Sequence, residues 1–197
     1  MKEYKNILDE IKSLEKKLLD EIHQKKKKYF YSLHKNRVNF EKGVKKEHKK
    51  LATNLIRYVF EANFLTVLTA PAIYLCILPA LCLDVVISFY QFVCFPVYKI
   101  PKVKRHNYII IDRQFLAYLN LFEKINCIYC GYFNGLMAYV SEIAGRTEQY
   151  FCPVKHAKAP MSIHSRYKHF LDFGDAEEYR KKLKLIERSF EDIKKSK

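Results

Sequence analysis

Three cysteines and a histidine lie in the second half of the chain, among tyrosines and aliphatic residues. Cys127 and Cys130 stand in the stretch NCIYCGYFNG, and Cys152 and His156 stand in RTEQYFCPVKHA. The combined pattern is C-x2-C-x21-C-x3-H, and both close pairs have a spacing that is common among zinc ligands. Three thiolates and an imidazole would form a closed tetrahedral shell with no open position. The pattern therefore favours a structural zinc site.

Acidic residues near this set are also compatible with a catalytic metal centre. If one thiol is absent from the shell, a glutamate would complete a more open, iron-like site. A membrane-bound metalloenzyme is therefore the main alternative function, with iron as the alternative to zinc. Its candidate catalytic residues are Glu123, Glu142, Arg146, Glu148 and His156.

Two further interpretations of the same residues need no metal. The cysteines would be free and buried, as small apolar side chains often are, with Glu148 paired to Arg146 and the histidine bonded to a carbonyl. Alternatively, Cys152 would cap a helix that begins at Pro153, where the N-terminus of a helix favours thiolate. His156 would then act as its base. No oxyanion loop accompanies that pair.

The first two cysteines lie in an apolar segment that is predicted to be helical from Asp112 to about Ala144. A continuous helix would separate Cys127 from Cys152 by about 37 Å, at about 1.5 Å per residue. The metal site therefore requires a chain reversal, ideally near residue 141. Gly131-x-x-x-Gly135 would let another helix approach closely. The polar residues that share one stripe of the helix are Glu123, Cys127, Cys130, Asn134 and Ser141/Glu142.

The middle of the chain is uncharged. ANFLTVLTAPAIYLCILPALCL (62–83) has 22 uncharged residues, and about 20 cross a bilayer. Because basic residues flank both ends, a single crossing conflicts with the positive-inside rule. Pro71 and Pro79 break helices, so we predict a short transmembrane or re-entrant hairpin that turns near Pro79–Asp84. Asp84 should then face protein, water or the far interface, and would line a pore if several copies assemble.

Charge is distributed in blocks around this segment. Residues 1–60 carry 17 Lys/Arg against 8 Asp/Glu, and residues 99–197 carry 19 against 11. This arrangement suits anionic membrane lipids better than nucleic acid, which stays a less favoured partner. The charged N-terminus does not read as a secretory signal, so the cysteines are expected to face a reducing compartment. The basic residues expected to face lipid or nucleic acid are Lys25, Lys26, Lys27, Lys28, Lys45, Lys46, Lys49, Lys50, Lys102, Lys104 and Arg105.

Near each end of the chain, apolar residues recur at helical spacing and form a stripe, which is called a seam. The first seam has 3-4-3-4-4 spacing, typical of a coiled coil, and a weaker helical pattern continues to about residue 60. The second has 4-3-4-3 spacing and follows a helix-start signal at Asp175–Glu178. The seams predict a homo-oligomer, although each would alternatively pack on its own domain. Their members are Tyr4, Ile7, Ile11, Leu14, Leu18 and Ile22, and Tyr179, Leu183, Ile186, Phe190 and Ile193.

The segment CFPVYKIPKVKRHNYIIIDRQFLAYLNLFEKINCIYCGYFNGLMAYVSEIAGRTEQYFCPVKHA (94–157) resembles an uncharacterised family of small bacterial membrane proteins with the motif NCxYCxYxNG…RTEQYxCPxKHA. The resemblance covers about a third of the chain and implies no activity. More weakly, the chain is similar to the pore-forming membrane accessory proteins of RNA-targeting Cas13-type CRISPR systems, whose nuclease-like Arg…His motif would fall on Arg146 and His156 at a wider spacing. The first resemblance implies that one unit contains Arg113, Asn120, Glu123, Asn126, Cys127, Cys130, Asn134, Gly135, Glu142, Arg146, Glu148, Cys152 and His156.

The sequence thus predicts an all-α membrane protein of the bacterial inner (cytoplasmic) membrane, with both termini cytoplasmic. Its parts are a basic helical or coiled-coil arm (1–60), a membrane hairpin (61–100), a Cys/His-containing helical core (101–172) and an amphipathic helical arm (173–197). The predicted function is a membrane-embedded oligomeric assembly with a structural Cys3His site, as a channel or membrane-perturbing effector in stress or phage defence. The alternatives are the metalloenzyme and a membrane tether that binds nucleic acid through its lysine-rich arms.

Overall fold

The computed structural model of the protein describes residues 2–29, 31–34, 37–41, 43–55, 58, 60, 63–158 and 160–195. The chain divides into two compact units. The first contains residues 1–61 and 112–125, and the second contains residues 62–111 and 126–197. The protein is mostly helical, as the sequence predicts.

The first unit begins with helix α1, Lys2–Lys28. Strands β1, Tyr31–His34, and β2, Arg37–Phe40, follow and pair antiparallel, and helix α2 covers Val44–Lys50. The predicted helical pattern up to residue 60 is therefore wrong over the two strands. YSLH and RVNF alternate polar and apolar residues with the period of a strand.

Aromatic rings connect the parts of the first unit. The Phe40 ring lies 6.0 Å from the Tyr31 ring and 5.5 Å from the His48 ring, measured between centroids. The His48 ring in turn lies 5.4 Å from that of Tyr118. Such pairs each contribute about 0.5–1.5 kcal/mol beyond the area they bury. They hold the hairpin and α2 against the segment that contains Tyr118.

The second unit begins with a long apolar helix. Helix α3, Phe64–Leu75, and helix α4, Ile77–Tyr98, are separated only by Cys76, whose own backbone is right-handed helical. Together they cover 35 residues, Phe64–Tyr98, and are called the apolar helix below. This helix is long and apolar enough to span a membrane.

The predicted hairpin turn near Pro79–Asp84 is wrong. Pro79 is the third residue of α4, in the first turn, where a helical N–H has no intrahelical partner to lose. Its ring clashes with a helical carbonyl four residues earlier, at Leu75, where α3 ends. The interruption lasts one residue, because the Ala80 N–H still bonds to the Cys76 carbonyl at 3.3 Å. The chain does not reverse, and Asp84 lies inside α4.

The apolar helix ends in a Schellman motif. Lys99 has a left-handed backbone, with φ of 58°. The Lys99 N–H bonds to the Pro96 carbonyl at 3.2 Å, and the Ile100 N–H bonds to the Phe95 carbonyl at 2.9 Å. Phe95 and Ile100 are both buried and supply the apolar contact that accompanies this motif. The chain leaves the helix here and runs back along α4.

The segment that runs back along α4, residues 100–111, is called the return segment. The buried Gln91 holds it against the helix. The Gln91 amide nitrogen donates to the Val103 carbonyl at 3.3 Å and to the Tyr139 hydroxyl at 2.9 Å, and the amide oxygen accepts from the Val103 N–H at 2.5 Å. The glutamine thus satisfies both backbone groups of one buried residue.

Replacement of Gln91 by leucine is expected to lower the free energy of unfolding by about 2–4 kcal/mol, because two buried backbone groups of Val103 lose their partner. The control, Tyr139→Phe, removes one of the three hydrogen bonds and should cost about 1 kcal/mol. Denaturant unfolding in detergent micelles measures both variants. Equal losses in the two variants would contradict this role for Gln91.

Helix α5 runs without interruption from Leu121 to Phe151. It begins later than the predicted Asp112 because a capping box sets its start. The Glu123 N–H donates to Asn120 Oδ1 at 2.9 Å, and the Asn120 N–H donates to Glu123 Oε2 at 2.7 Å. Two backbone donors at the helix start are satisfied in this reciprocal way.

The return segment packs closely against two glycines of α5. A Cβ at Gly135 would lie 2.6 Å from the Tyr108 carbonyl oxygen and 2.8 Å from the Ile109 Cα, and one at Gly131 would lie 3.2 Å from the Ile110 carbonyl oxygen. The GxxxG pair therefore admits non-helical backbone, and the predicted helix at this place is wrong. Gly135 has the smaller clearance of the two, and the atoms that face it are backbone atoms, which cannot rotate away.

The last part of the second unit contains helices α6, Ala176–Glu187, and α7, Glu191–Lys195. Asp175 caps α6, as predicted, by accepting a hydrogen bond from the Glu178 N–H at 3.0 Å. The C-terminal seam is interrupted between the two helices, and there Phe190 enters the hydrophobic core. Ile193 packs against the same core. These two members of the seam pack within their own unit.

Candidate functional site

The four predicted metal ligands do not come together. Because α5 is continuous through residue 141, Cys127 and Cys152 lie about 37 Å apart along it, at about 1.5 Å per residue. Gly145 could have allowed the helix to end and the chain to reverse, but it lies inside α5. It packs against His164, whose Nδ1 is too close to leave room for a Cβ. In the part of the chain that the structure describes, no group of three or more His, Cys, Asp or Glu is placed to hold a metal ion. These residues do not fit a Cys3His zinc site, or the iron alternative, within one chain.

Cys152 and His156 do not form the predicted helix cap and base pair. The Cys152 N–H bonds to the Glu148 carbonyl at 2.7 Å, so this residue still follows α5. The next residues are not helical, because the Lys155 N–H bonds to the Leu171 carbonyl at 2.8 Å in a short bridge. The exposed His156 stacks on the Tyr167 ring, at 6.3 Å between centroids.

Two of the candidate catalytic residues form a buried ion pair. Arg146 Nε lies 2.8 Å from Glu142 Oε1, on successive turns of α5. The Ser165 hydroxyl donates to Glu142 Oε2 at 2.7 Å, and Arg146 Nη1 donates to the Pro101 carbonyl at 2.7 Å. Because both charges are paired and have further hydrogen bonds, their burial is tolerated. The pair joins α5 to the return segment and to the loop that contains Ser165.

The other two candidate carboxylates also have protein partners. Glu148 Oε2 lies 3.0 Å from His164 Nε2. The His164 Nδ1 accepts from the Arg166 N–H at 3.2 Å, so its Nε2 carries a proton and donates to Glu148. Glu123 forms the capping box in the first unit. The Glu148–Arg146 pair that the sequence suggested is not formed, since Arg146 bonds to Glu142 instead.

Among the described residues of the second unit, Arg166 is a buried residue with several polar partners, and no sequence pattern indicated it. Its Nε donates to Gln149 Oε1 at 2.5 Å, and its Nη1 lies 2.6 Å from Asp192 Oδ2. Nη2 donates to the Ser189 carbonyl at 3.1 Å, and the guanidinium lies 5.4 Å from the centre of the Phe190 ring. The side chain fastens the C-terminal helices to α5.

The polar groups around Arg166 should make stability fall in acid. Burial, with the nearby Arg166, lowers the pKa of His169 below its ordinary 6.5. Burial would raise the pKa of Asp192, but its hydrogen bonds to Arg166 outweigh this and hold the pKa below 3.8. Since both groups bind protons more readily when unfolded, stability is lost as the pH falls below about 6.5, and again below about 4. Thermal unfolding between pH 8 and 3 measures this. In His169→Gln the loss between pH 6.5 and 5 should become smaller, and an unchanged profile would contradict the assignment.

Asp84 faces protein, one of the three surroundings that the sequence allowed. Its Oδ2 lies 2.6 Å from Arg105 Nη2 and accepts a hydrogen bond from the Tyr132 hydroxyl at 2.9 Å. Ser88 lies 3.4 Å from Oδ1. This carboxylate has an arginine partner from the return segment, which offsets the cost of a charge on an apolar helix. A pore lined by Asp84 would require these contacts to break.

The predicted basic residues fall on both units. Lys25 and Lys28 are exposed at the end of α1. The side chains of Lys26 and Lys27 lie outside the described residues. In the second unit, Arg105 pairs with Asp84 as described. The exposed lysines of α2 and the return segment are Lys45, Lys46, Lys49, Lys50, Lys102 and Lys104.

The return segment also forms one wall of a cleft of about 900 Å³, which opens beside the end of the apolar helix. Lysines and arginines dominate its polar lining, with Ser165 and Asn107 as neutral donors. Phe95, Pro96 and Ile100 supply apolar walls. The sequence predicted basic residues here, but not a concave site.

The arrangement of polar side chains in the second unit is a framework of ion pairs and caps. Arg146 bonds to Glu142 and to the return segment at Pro101, whereas Glu142 and Glu148 bond to Ser165 and His164, which are adjacent in one loop. Among the described residues, no hydrogen bond joins a cysteine or serine side chain to a histidine base. These contacts join α5 to the return segment and to the loop that contains His164 and Ser165. No protein-family model, curated protein or solved structure matches this chain.

Proposed function

We propose that the protein is a non-enzymatic, membrane-embedded helical assembly whose apolar helix lies in the bilayer. The exposure of that helix carries the proposal, because only 11% of its most apolar window is buried. Phe64, Leu68 and Val97, near its two ends, are 75%, 62% and 72% exposed. A core helix of a soluble protein would be mostly buried, whereas a continuous exposed apolar surface is typical of contact with a membrane.

The geometry favours a helix axis close to the plane of the membrane. Thirty-five residues at about 1.5 Å each give about 52 Å, and the hydrocarbon layer is about 30 Å thick. α3 has no buried residue, so its whole surface is free to contact the membrane. α4 is exposed along one face only, at Leu78, Val85, Phe89 and Phe92. Its other face contacts the return segment and α5 through Gln91.

Charges near the apolar helix support a shallow position. Arg105 is half-exposed and lies beside Asp84, near the middle of the apolar helix. A helix that crossed the bilayer would carry this guanidinium deep into hydrocarbon, at a cost of several kcal/mol. A helix in the interfacial plane leaves Arg105 and Lys102 at the level of anionic headgroups. We infer that both chain termini remain on one side, the cytoplasmic face of a bacterial inner membrane.

Cysteine labelling tests this insertion. In vesicles, a variant with Cys82 as its only cysteine should resist a water-soluble maleimide until detergent is added, because Cys82 is exposed on the apolar helix and would face lipid. A variant with only Cys152, also exposed, should react in both conditions. Rapid labelling of Cys82 in intact vesicles would refute the proposal.

The assembly that we propose forms through α1. Leu14, Leu18 and Ile22 of its seam are exposed, and a 27-residue helix of this pattern gains stability by pairing with a second copy. Leu14→Lys with Leu18→Lys should therefore reduce the mass of the protein–detergent complex to that of a monomer. Glu15→Lys, off the seam, should leave the mass unchanged. A wild-type monomer would exclude self-association.

A further inference from the structure

The cleft at the end of the apolar helix has an unbalanced charge. Its lining includes six cationic side chains, and among the described residues Asp192 is its one carboxylate. The cationic side chains are Lys99, Lys102, Lys104, Arg146, Lys168 and Arg166. A concave site lined by charges of one sign concentrates ions of the opposite sign.

The arginines and lysines of this cleft differ in their partners. Arg146 is paired with Glu142, and Arg166 is paired with Asp192. Within the described part of the chain, the four lysines form no ion pair. Lys102 lies 4.7 Å from the centre of the Phe92 ring, which leaves its charge uncompensated. The lysines therefore provide the net positive charge, whereas the charges of the arginines are compensated by their partners.

Lys99 occupies an unusual backbone position for a lysine. Its φ of 58° is in the left-handed region, where the helix-ending residue is usually glycine because a side chain strains the backbone there. Strained residues of this kind are frequent at binding sites. Here the residue in that conformation directly follows the last turn of the apolar helix and lines the cleft.

The other walls of the cleft restrict the ligand. Phe95, Pro96 and Ile100 are apolar and belong to the end of the same helix. A ligand that fits this lining combines an anionic group with an apolar part. Lysine ammonium groups bind phosphate oxygens as point charges, and the end of a helix that lies in a bilayer is at the depth of phospholipid phosphates.

We propose that this cleft binds the phosphate group of an anionic phospholipid, with Lys99, Lys102, Lys104 and Lys168 contacting the phosphate. The apolar wall accommodates the glycerol and the first carbons of the acyl chains. The lipid source of the phosphate rests on the proposed membrane function, whereas the preference for phosphate rests on the cleft alone.

Calorimetric titration of the detergent-solubilised protein tests the proposal. The probes are short-chain phosphatidylglycerol, short-chain phosphatidylcholine and glycerol 3-phosphate. We expect phosphatidylglycerol to bind at least tenfold more tightly than either other probe. Equal affinity for the two lipids would overturn the site, and equal affinity for glycerol 3-phosphate would overturn the lipid source. Tighter binding of an RNA oligonucleotide than of phosphatidylglycerol would overturn it as well.

A charge-matched pair of variants separates the cleft from the overall positive charge of +15. Lys99→Gln, Lys102→Gln and Lys104→Gln together should weaken phosphatidylglycerol binding at least tenfold. Lys45→Gln, Lys46→Gln and Lys49→Gln on α2 remove the same charge and should change affinity less than twofold. Equal losses in the two triple variants would overturn the site.

Two further measurements distinguish loss of the phosphate site from misfolding and from failure of the membrane proposal. Lys168→Gln, in a different segment, should by itself weaken binding about threefold, and unchanged affinity would count against the cleft. The cleft variant should still float with neutral vesicles, because its apolar helix is intact. A wild-type protein that binds phosphatidylglycerol in detergent but does not float would refute the membrane function and leave the phosphate site standing.

Discussion

Replacing Arg166 by methionine is expected to lower the free energy of unfolding by about 3–5 kcal/mol, the range for loss of one partner from a buried ionic network. The guanidinium is almost fully buried and bonds to Gln149, Ser189 and Asp192. Methionine fills much of the volume but leaves the Gln149 oxygen without a donor inside the core. The C-terminal helices would then separate from α5 before the rest of the unit unfolds.

Denaturant unfolding in detergent micelles measures this loss, and hydrogen exchange of α6 and α7 locates it. Asp192→Asn is the control, because Asp192 is about half-exposed and an amide still accepts from Arg166. Its cost should be about 1–2 kcal/mol, because the guanidinium loses its counter-charge but keeps its hydrogen bonds. If Arg166→Met costs no more than Asp192→Asn, the guanidinium does not organise this region.

Replacing Gly135 by valine is expected to cost about 3 kcal/mol, because overpacking forces backbone to move. Its Cβ would meet the Tyr108 carbonyl oxygen and the Ile109 Cα within 2.8 Å. Neither atom can rotate away, so the return segment must shift from α5. The better helix propensity of valine recovers only part of the loss, about 0.5 kcal/mol.

Gly131→Ala is the matched control, since its Cβ would meet one carbonyl oxygen at 3.2 Å. A gain of about 1 kcal/mol in helix propensity should nearly offset this contact. Midpoints of thermal unfolding compare the two variants. A Gly135→Val protein as stable as Gly131→Ala would show that the return segment does not lie against α5 as described.

The parts of the fold that depend on local signals were predictable. The exposed apolar segment, the helical character of most of the chain and the Asp175 cap of α6 each rest on neighbouring residues. The capping box of Asn120 and Glu123 is also local, but the apolar run before it hid the boundary. The strands at Tyr31–His34 and Arg37–Phe40 were missed because four-residue alternation is weak beside long lysine-rich helical patterns.

The residue types of the candidate site could be predicted from the sequence, but their arrangement in space could not. Cys127 and Cys152 belong to pairs with the spacing of metal ligands, but the distance between them depends on whether α5 bends. The glycines that would allow a bend are instead packed against neighbouring segments. Pro79 breaks a helix in general, yet as the third residue of α4 it interrupts only one position. Arg166 lies in a loop without periodicity, so nothing nearby in sequence indicates its partners.

Vesicle flotation at pH 11 and in 1 M salt tests the central claim most directly. These conditions remove proteins held by charge alone, since 1 M salt shortens the Debye length to about 3 Å. With the apolar helix in lipid, the full-length protein is predicted to remain with the floating vesicles and to need detergent for release. Quantitative release into the aqueous fraction, as a monodisperse protein without detergent, would contradict the account.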